Sequence, residues 1–229
     1  MKLAQWTKVL TVVAAVAMVA LVASSSSEVQ ASNMGFKMHR VTAAKSGPDP
    51  QGVNLLALPY QNPYQNAQDI CDALGMSGSP LGTVEQVDAN AGTINVHGCG
   101  LGGPFALANR VGVTVKDTVA RAGILVGSHV GNPPGSVTLF QLGVPPQGDN
   151  PFPVPYHTTA VNAQDLCVDL AMPASPNGTI QRIDAAAGAI LVHGCGLGGA
   201  FSLVLGETVI VQQNSGGDIV VPAGRPSHF

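Results

Sequence analysis

Two long stretches of this chain are copies of each other. Asn66-Ala67-Gln68-Asp69-Ile70-Cys71 returns as Asn162-Ala163-Gln164-Asp165-Leu166-Cys167, at an offset of 96 residues. Val96-His97-Gly98-Cys99-Gly100-Leu101-Gly102-Gly103 returns as Val192-His193-Gly194-Cys195-Gly196-Leu197-Gly198-Gly199 at the same offset of 96. Pro59-Tyr60 and Asp88 recur as Pro155-Tyr156 and Asp184. No gap is needed from Asn54/Asn150 to Phe105/Phe201, and about half the aligned positions are identical. Solenoid repeats have periods of about 20–50 residues, so this spacing means duplication of a whole domain. Gly131-Asn132-Pro133-Pro134-Gly135 marks the boundary, because Pro and Gly there interrupt a helix or a central strand. Residues 32–131 and 132–229 are therefore expected to be two homologous small domains in tandem.

Each copy reads as α+β, mainly antiparallel β, with one short helix. Strands are expected at Phe36–Val41, matched loosely by Val137–Leu142, and at Val53–Leu58. The helix starts from Asn66, an N-cap residue, with Asp69 facing the free N–H groups of its first turn and Ile70, Cys71 and Leu74 on one face. A hairpin runs Thr83–Val87, turns through Asp88 to Gly92, and returns over Thr93–His97. Later strands are expected at Phe105–Val115 and Gly123–Val126, and in the second copy at Phe201–Val211 and Asp218–Val221.

The N-terminus has a different character. Lys2 and Lys8 precede an apolar run from Val9 to Ala23, and Val29-Gln30-Ala31 supplies small or apolar residues beyond it. That order is the order of a secretory signal peptide, with cleavage expected after Ala31. A retained membrane anchor is the alternative, but about 15 apolar residues fall short of the roughly 20 that span a bilayer. The membrane enters only through this segment, if it stays uncleaved. Localisation is expected to be secreted, cell-surface or periplasmic.

Only 10% of the residues are charged and the net charge is −3. No basic run is present, which argues against nucleic acid. The aliphatic content suffices to bury a core, so the surface is unusually neutral and little like-charge repulsion keeps copies apart.

Four cysteines in an exported chain read as two disulfides. Presence of both cysteines in both copies favours Cys71 with Cys99 and Cys167 with Cys195, although four cysteines allow three pairings. The alternative is a zinc or copper site. Cys71, His97, Cys99 and His129 make a Cys₂His₂ set in the first copy, and Cys167, His193, Cys195 and His228 make one in the second. The spacing lacks a Cys-x₂-Cys element, and thiols outside the cytoplasm oxidise, so disulfides are the expectation and no cofactor is implied. On that reading His97 and His193 form local hydrogen bonds in the turn.

Catalysis finds few candidates. Gly98-Cys99-Gly100-Leu101-Gly102-Gly103 matches the letters of a dinucleotide fingerprint, but a strand pattern rather than a helix follows it. A Cys–His nucleophile needs a free thiolate, and no Gly-x-Ser-x-Gly elbow is present. Asp88 and Asp184 read as turn residues, Asp69 and Asp165 as helix-start charges. No residues point to a hydrolase or a glycan-binding module.

The order Leu56-Ala57-Leu58-Pro59-Tyr60, Asn66 to Cys71, Ile94 to Cys99, then Phe105 resembles a tandem repeat domain of exported bacterial proteins. Those repeats often have Ser where Ala57 and Pro153 stand here. The resemblance implies export and brings no activity with it. Together these readings lead to the expectation of a non-enzymatic structural or interaction module. It would associate with itself or with another envelope protein. The alternative is an exported metal-binding or redox protein.

Overall fold

The computed structural model describes residues 36–58, 62–78, 82–108, 112–127, 137–154, 158–172, 178–214 and 217–221. The apolar run at Val9–Ala23, the Pro/Gly boundary, His129 and His228 lie outside the described residues. Antiparallel strands dominate and two short helices accompany them.

The first copy contains β1 (Phe36–Val41), β2 (Asn54–Leu56), α1 (Ala67–Ala73), β3 (Thr83–Asp88), β4 (Thr93–Gly98), β5 (Val113–Lys116) and β6 (Ala122–Gly127). The second contains β7 (Val137–Leu139), β8 (Asn150–Pro153), α2 (Ala163–Asp169), β9 (Gly178–Asp184), β10 (Ala189–Gly194), β11 (Thr208–Gln213) and β12 (Ile219–Val221). Four strands of each copy form one sheet, in the orders β2-β5-β3-β4 and β8-β11-β9-β10. The remaining strands pair off as β1-β6 and β7-β12.

Local chemistry explains the helices. Asn66 sits at the N-cap in extended backbone, and its Oδ1 accepts from the amides of Gln68 (2.9 Å) and Asp69 (3.3 Å). Asp69 Oδ2 accepts in turn from the Asn66 amide at 3.0 Å, closing a capping box. Gly75 ends the first helix at φ +68°, whereas Ala171 takes the equivalent left-handed position at φ 60° in the second copy. The inward faces are Ala67, Ile70 and Cys71 and their counterparts Ala163, Leu166 and Cys167. Turns follow the same logic: Asp88 Oδ1 accepts from the Asn90 and Ala91 amides, and Asp184 Oδ1 from the Ala187 amide.

Each copy keeps its own core. Leu56, Ile70, Leu74, Met76, Val84 and Val115 cluster in the first, and Phe152, Leu166, Leu170, Met172, Ile180 and Val211 in the second. Every member of one list stands 96 residues from its partner in the other.

The copies nonetheless belong to one compact unit, Ala31–Phe229. They join by a reciprocal contact. The Gly52 amide donates to Ala185 O at 2.8 Å, and the equivalent Gly148 amide donates to Ala89 O at 2.9 Å. Gly92 faces Gln147, and its counterpart Gly188 faces Gln51. Such reciprocity is the mark of an isologous interface, here within one chain. Gly112 and Thr208 occupy equivalent positions and meet each other, so they lie on the approximate twofold axis. A Cβ at Gly112 would overlap the Thr208 side chain. Only one copy can carry a side chain there.

Several expected strands are shorter or differently matched. The stretch Phe105–Val115 is not one strand: Ala106 forms a single bridge to Asn66, and the next described strand is β5. Phe201–Val211 divides the same way, with a bridge at Ser202 before β11. Gly103 and Gly199, at φ +77° and φ +81°, turn the chain just before these bridges. Val53–Leu58 reduces to β2, and Val137–Leu142 to β7. Met38 lies opposite Leu125, and Val137 opposite Val221, so Val137 corresponds to Met38 rather than Phe36.

Gly112→Thr should therefore cost about 1–3 kcal/mol by overpacking the axis. Adding Thr208→Gly should recover most of that loss, because the threonine then simply changes sides. Urea unfolding of both variants checks this; additive losses would refute the shared axis.

Candidate functional site

The repeated motifs converge on one cluster in each copy. Cys71 on α1 bonds Cys99, just past β4, with Sγ–Sγ 2.04 Å and Cα–Cα 5.6 Å. Cys167 on α2 bonds Cys195, just past β10, with Sγ–Sγ 2.08 Å and Cα–Cα 5.7 Å. All four cysteines are buried.

A second fastening runs beside each bridge. Gln68 Oε1 lies 2.9 Å from His97 Nε2 and accepts from the Gly100 amide at 3.0 Å. Since Oε1 is an acceptor, the ring nitrogen must be the donor, which places a proton on Nε2. The second copy repeats the arrangement: Gln164 Oε1 meets His193 Nε2 at 2.9 Å and the Gly196 amide at 2.7 Å. Both imidazoles are buried. The expectation of local hydrogen bonds in the turn is corrected here, because each histidine reaches a helix 29 residues away in sequence. Gln68 and Gln164 carried no assigned role in the sequence reading. Their recurrence within the Asn-Ala-Gln-Asp motif was the available signal.

Gln68 is itself held. Its Nε2 donates to Asp72 Oδ1 at 2.7 Å, and Ser77 Oγ donates to the same oxygen at 2.5 Å. These bonds, the one from Ser77 foremost, hold the exposed Asp72 carboxyl below its ordinary range. Val168 stands at the Asp72 position in the second copy, so the carboxylate differs between the copies.

The glycine run does not open a helix. Gly100 takes φ +78°, and a Cβ there would come within 3.0 Å of the Gly78 amide nitrogen. Leu101 folds back over Gly98. The Gly98–Gly103 segment is a tight loop that carries one end of the disulfide, and the fingerprint reading fails on this geometry.

The Cys₂His₂ alternative, Cys71, His97, Cys99 and His129 with Cys167, His193, Cys195 and His228, loses its thiolates. Each sulfur is already bonded to its partner. The imidazole Nε2 atoms are turned to glutamine, and His129 and His228 lie outside the described residues. Among the described residues no cluster of three or more His, Cys, Asp or Glu side chains could hold a metal ion. The same bonds leave no thiolate for nucleophilic attack. What the cluster does is mechanical: it ties a seven-residue helix to the outgoing end of a hairpin.

Two clefts lie where the copies meet. One, of ≈ 310 Å³, is lined by Gln86, Asn95, Leu139, Phe140 and Pro151 among others. The other, of ≈ 480 Å³, is lined by Arg40, Ala43, Leu55, Arg182 and Glu207 among others. Arg182 donates to both carboxylate oxygens of Glu207, at 2.7 and 3.5 Å. Among the described residues no helix is long and apolar enough to cross a membrane.

Compared with known proteins, the chain matches no family model, no curated protein and no solved structure.

Removing the first bridge by Cys71→Ala with Cys99→Ala should cost about 3–4 kcal/mol, the chain-entropy value for a loop of this length. Gln68→Ala alone should cost about 1–3 kcal/mol, because the buried His97 Nε2–H and the Gly100 amide both lose their acceptor. Denaturant unfolding measures both. Losses below about 0.5 kcal/mol, the size of ordinary surface substitutions, would contradict the fastening role.

Proposed function

We propose that this chain is an exported, non-enzymatic structural module of the cell surface or extracellular space, which assembles with further copies of itself edge strand to edge strand. The carrying observation is the state of β4 and β10. Each closes one side of its four-stranded sheet and, among the described residues, pairs on its inner side only. The opposite sides of the two sheets, β2 and β8, face the neighbouring copy and are occupied: Leu56 bridges Glu207, and the Gly112 amide bonds Pro151 O.

An open edge offers a row of unused N–H and C=O groups, and proteins usually guard it with lysine, proline or a bulge. Neither Thr93–Gly98 nor Ala189–Gly194 contains a charged residue or a proline. Val96 is 59% exposed, Val192 57%, and Ile94 and Ile190 about half. Leu101 and Leu197 extend the apolar surface beyond each strand.

A second copy is the occupant that fits. Its edge is equally apolar and uncharged, and a net charge of −3 repels it little. Each chain has two such edges, so pairing of β4 with β10 leaves one open at each end and growth is linear. Export is supported by the signal-like N-terminus and by disulfides, which persist in oxidising compartments. The resemblance to repeats of exported bacterial proteins points the same way.

Light scattering after size exclusion tests the assembly on the protein as exported. The mass should rise with concentration, and Val96→Lys with Val192→Lys should reduce it to a monomer without lowering the melting temperature. A wild-type monomer at all concentrations, or lysine variants that still assemble, would overturn the proposal. Recovery of the chain with a different envelope protein in fixed ratio would also overturn self-assembly.

A further inference from the structure

The two clefts between the copies are related by the internal twofold. Gln86 in one corresponds to Arg182 in the other, Asn150 to Asn54, and Pro151 to Leu55. They have diverged at two places that matter. Asn150 Oδ1 accepts from the Phe140 amide, and Asn54 Oδ1 accepts from the Ala43 amide, so Ala43 stands where the first cleft has a phenyl ring. The second cleft, which lacks that ring, has the greater volume. The other change is in charge. Arg40 lies opposite Gly123 in the β1–β6 pair, and Leu139 lies opposite the equivalent Ile219 in the β7–β12 pair. Leu139 is fully buried in the second core, so by strand pairing an arginine stands at the strand position where the second copy has a core leucine.

Two nitrogens of Arg40 are unmet there. Its Nε and Nη2 are buried and have no hydrogen-bond acceptor. Of the two carboxylates lining the cleft, Glu207 is taken up by Arg182, and Asp184 has one oxygen in a turn. Glu207 places both oxygens on Arg182, and its hydrogen bond is the main reason the Arg182 guanidinium holds its proton more firmly than usual. Asp184 accepts from the Ala187 amide. The Asn54 amide group is spent on Ala43 O, Gly52 O and Val115 O. Buried guanidinium nitrogens without an acceptor are costly, and a planar carboxylate matches the guanidinium fork with two acceptors at once. Apart from Thr42, the rest of the wall is aliphatic, with Ala43, Leu55 and Ile183 among it. The volume falls in the range of small-ligand sites.

We propose that the larger cleft binds a small free aliphatic carboxylate, with the Arg40 guanidinium swung toward the cleft as its anchor and the apolar wall covering the alkyl chain. Such binding is independent of edge-strand assembly.

Saturation-transfer NMR on the whole exported protein tests it, with sodium butyrate and sodium hexanoate as probes and butylamine and butanol at equal ionic strength as controls. Both carboxylates should bind saturably and neither control should. Arg40→Leu, which installs the residue of the other copy, should abolish binding. Arg40→Gln should do the same, so the test does not depend on how the leucine variant folds. Arg40→Lys should keep the charge, lose the fork, and bind about tenfold more weakly. No saturable binding to the wild type, or binding undiminished by Arg40→Leu or Arg40→Gln, would overturn the proposal. Equal binding of butanol would reduce the cleft to a nonspecific apolar hollow and overturn it as well.

Discussion

A covalent bond between a short helix and the end of a hairpin organises each half of this chain. Seven residues are too few to hold a helix in water, whatever their caps contribute. Aromatic residues are scarce, at 4%, so the core holds few of the large side chains that carry most burial energy elsewhere. The disulfide compensates by restricting the unfolded chain, and the glutamine–histidine bond beside it fixes the angle of helix to sheet. The core side chains Ile70, Leu74 and Val84, and their counterparts, pack around this tie.

Duplication then supplies the second organising device. Two copies of one surface meet about an approximate twofold, and the reciprocal bonds of Gly52 and Gly148 express it. Symmetry also sets the limit, since equivalent residues on the axis compete for one space. Gly112 and Thr208 show how the copies resolve that competition by diverging. Away from the axis divergence is freer. The paired clefts have kept their position while one has exchanged phenylalanine for alanine and leucine for arginine. The inner edges of the two sheets are consumed by this junction, and among the described residues the outer strands β4 and β10 pair on one side only.

Features governed by neighbours in sequence were legible beforehand. The Asn66 cap, the Asp88 turn, the β3–β4 hairpin and the inward face of α1 each rest on residues a few positions apart. The fold class followed from them, and the cysteine pairs from their recurrence. Long-range partners were not legible. Nothing in the spacing of Gln68 and His97 announces their bond, and nothing in β5 says that it lies between β2 and β3. The alternation of Phe105, Leu107 and Val113 reports which side chains turn inward, and it suggested a continuous strand. Backbone pairing is a separate matter, and Gly103 interrupts it. Arg40 escaped notice for a related reason: the copies slip out of register before Asn54 and Asn150, so its equivalence to Leu139 emerges only from strand pairing.

The central claim is that each copy is closed by its own disulfide. Peptide mapping of the folded protein without reduction tests it most directly. The account predicts one linked pair of peptides containing Cys71 and Cys99 and another containing Cys167 and Cys195, with no free thiol. Peptides linking the two copies, or unmodified cysteines in the folded protein, would contradict it.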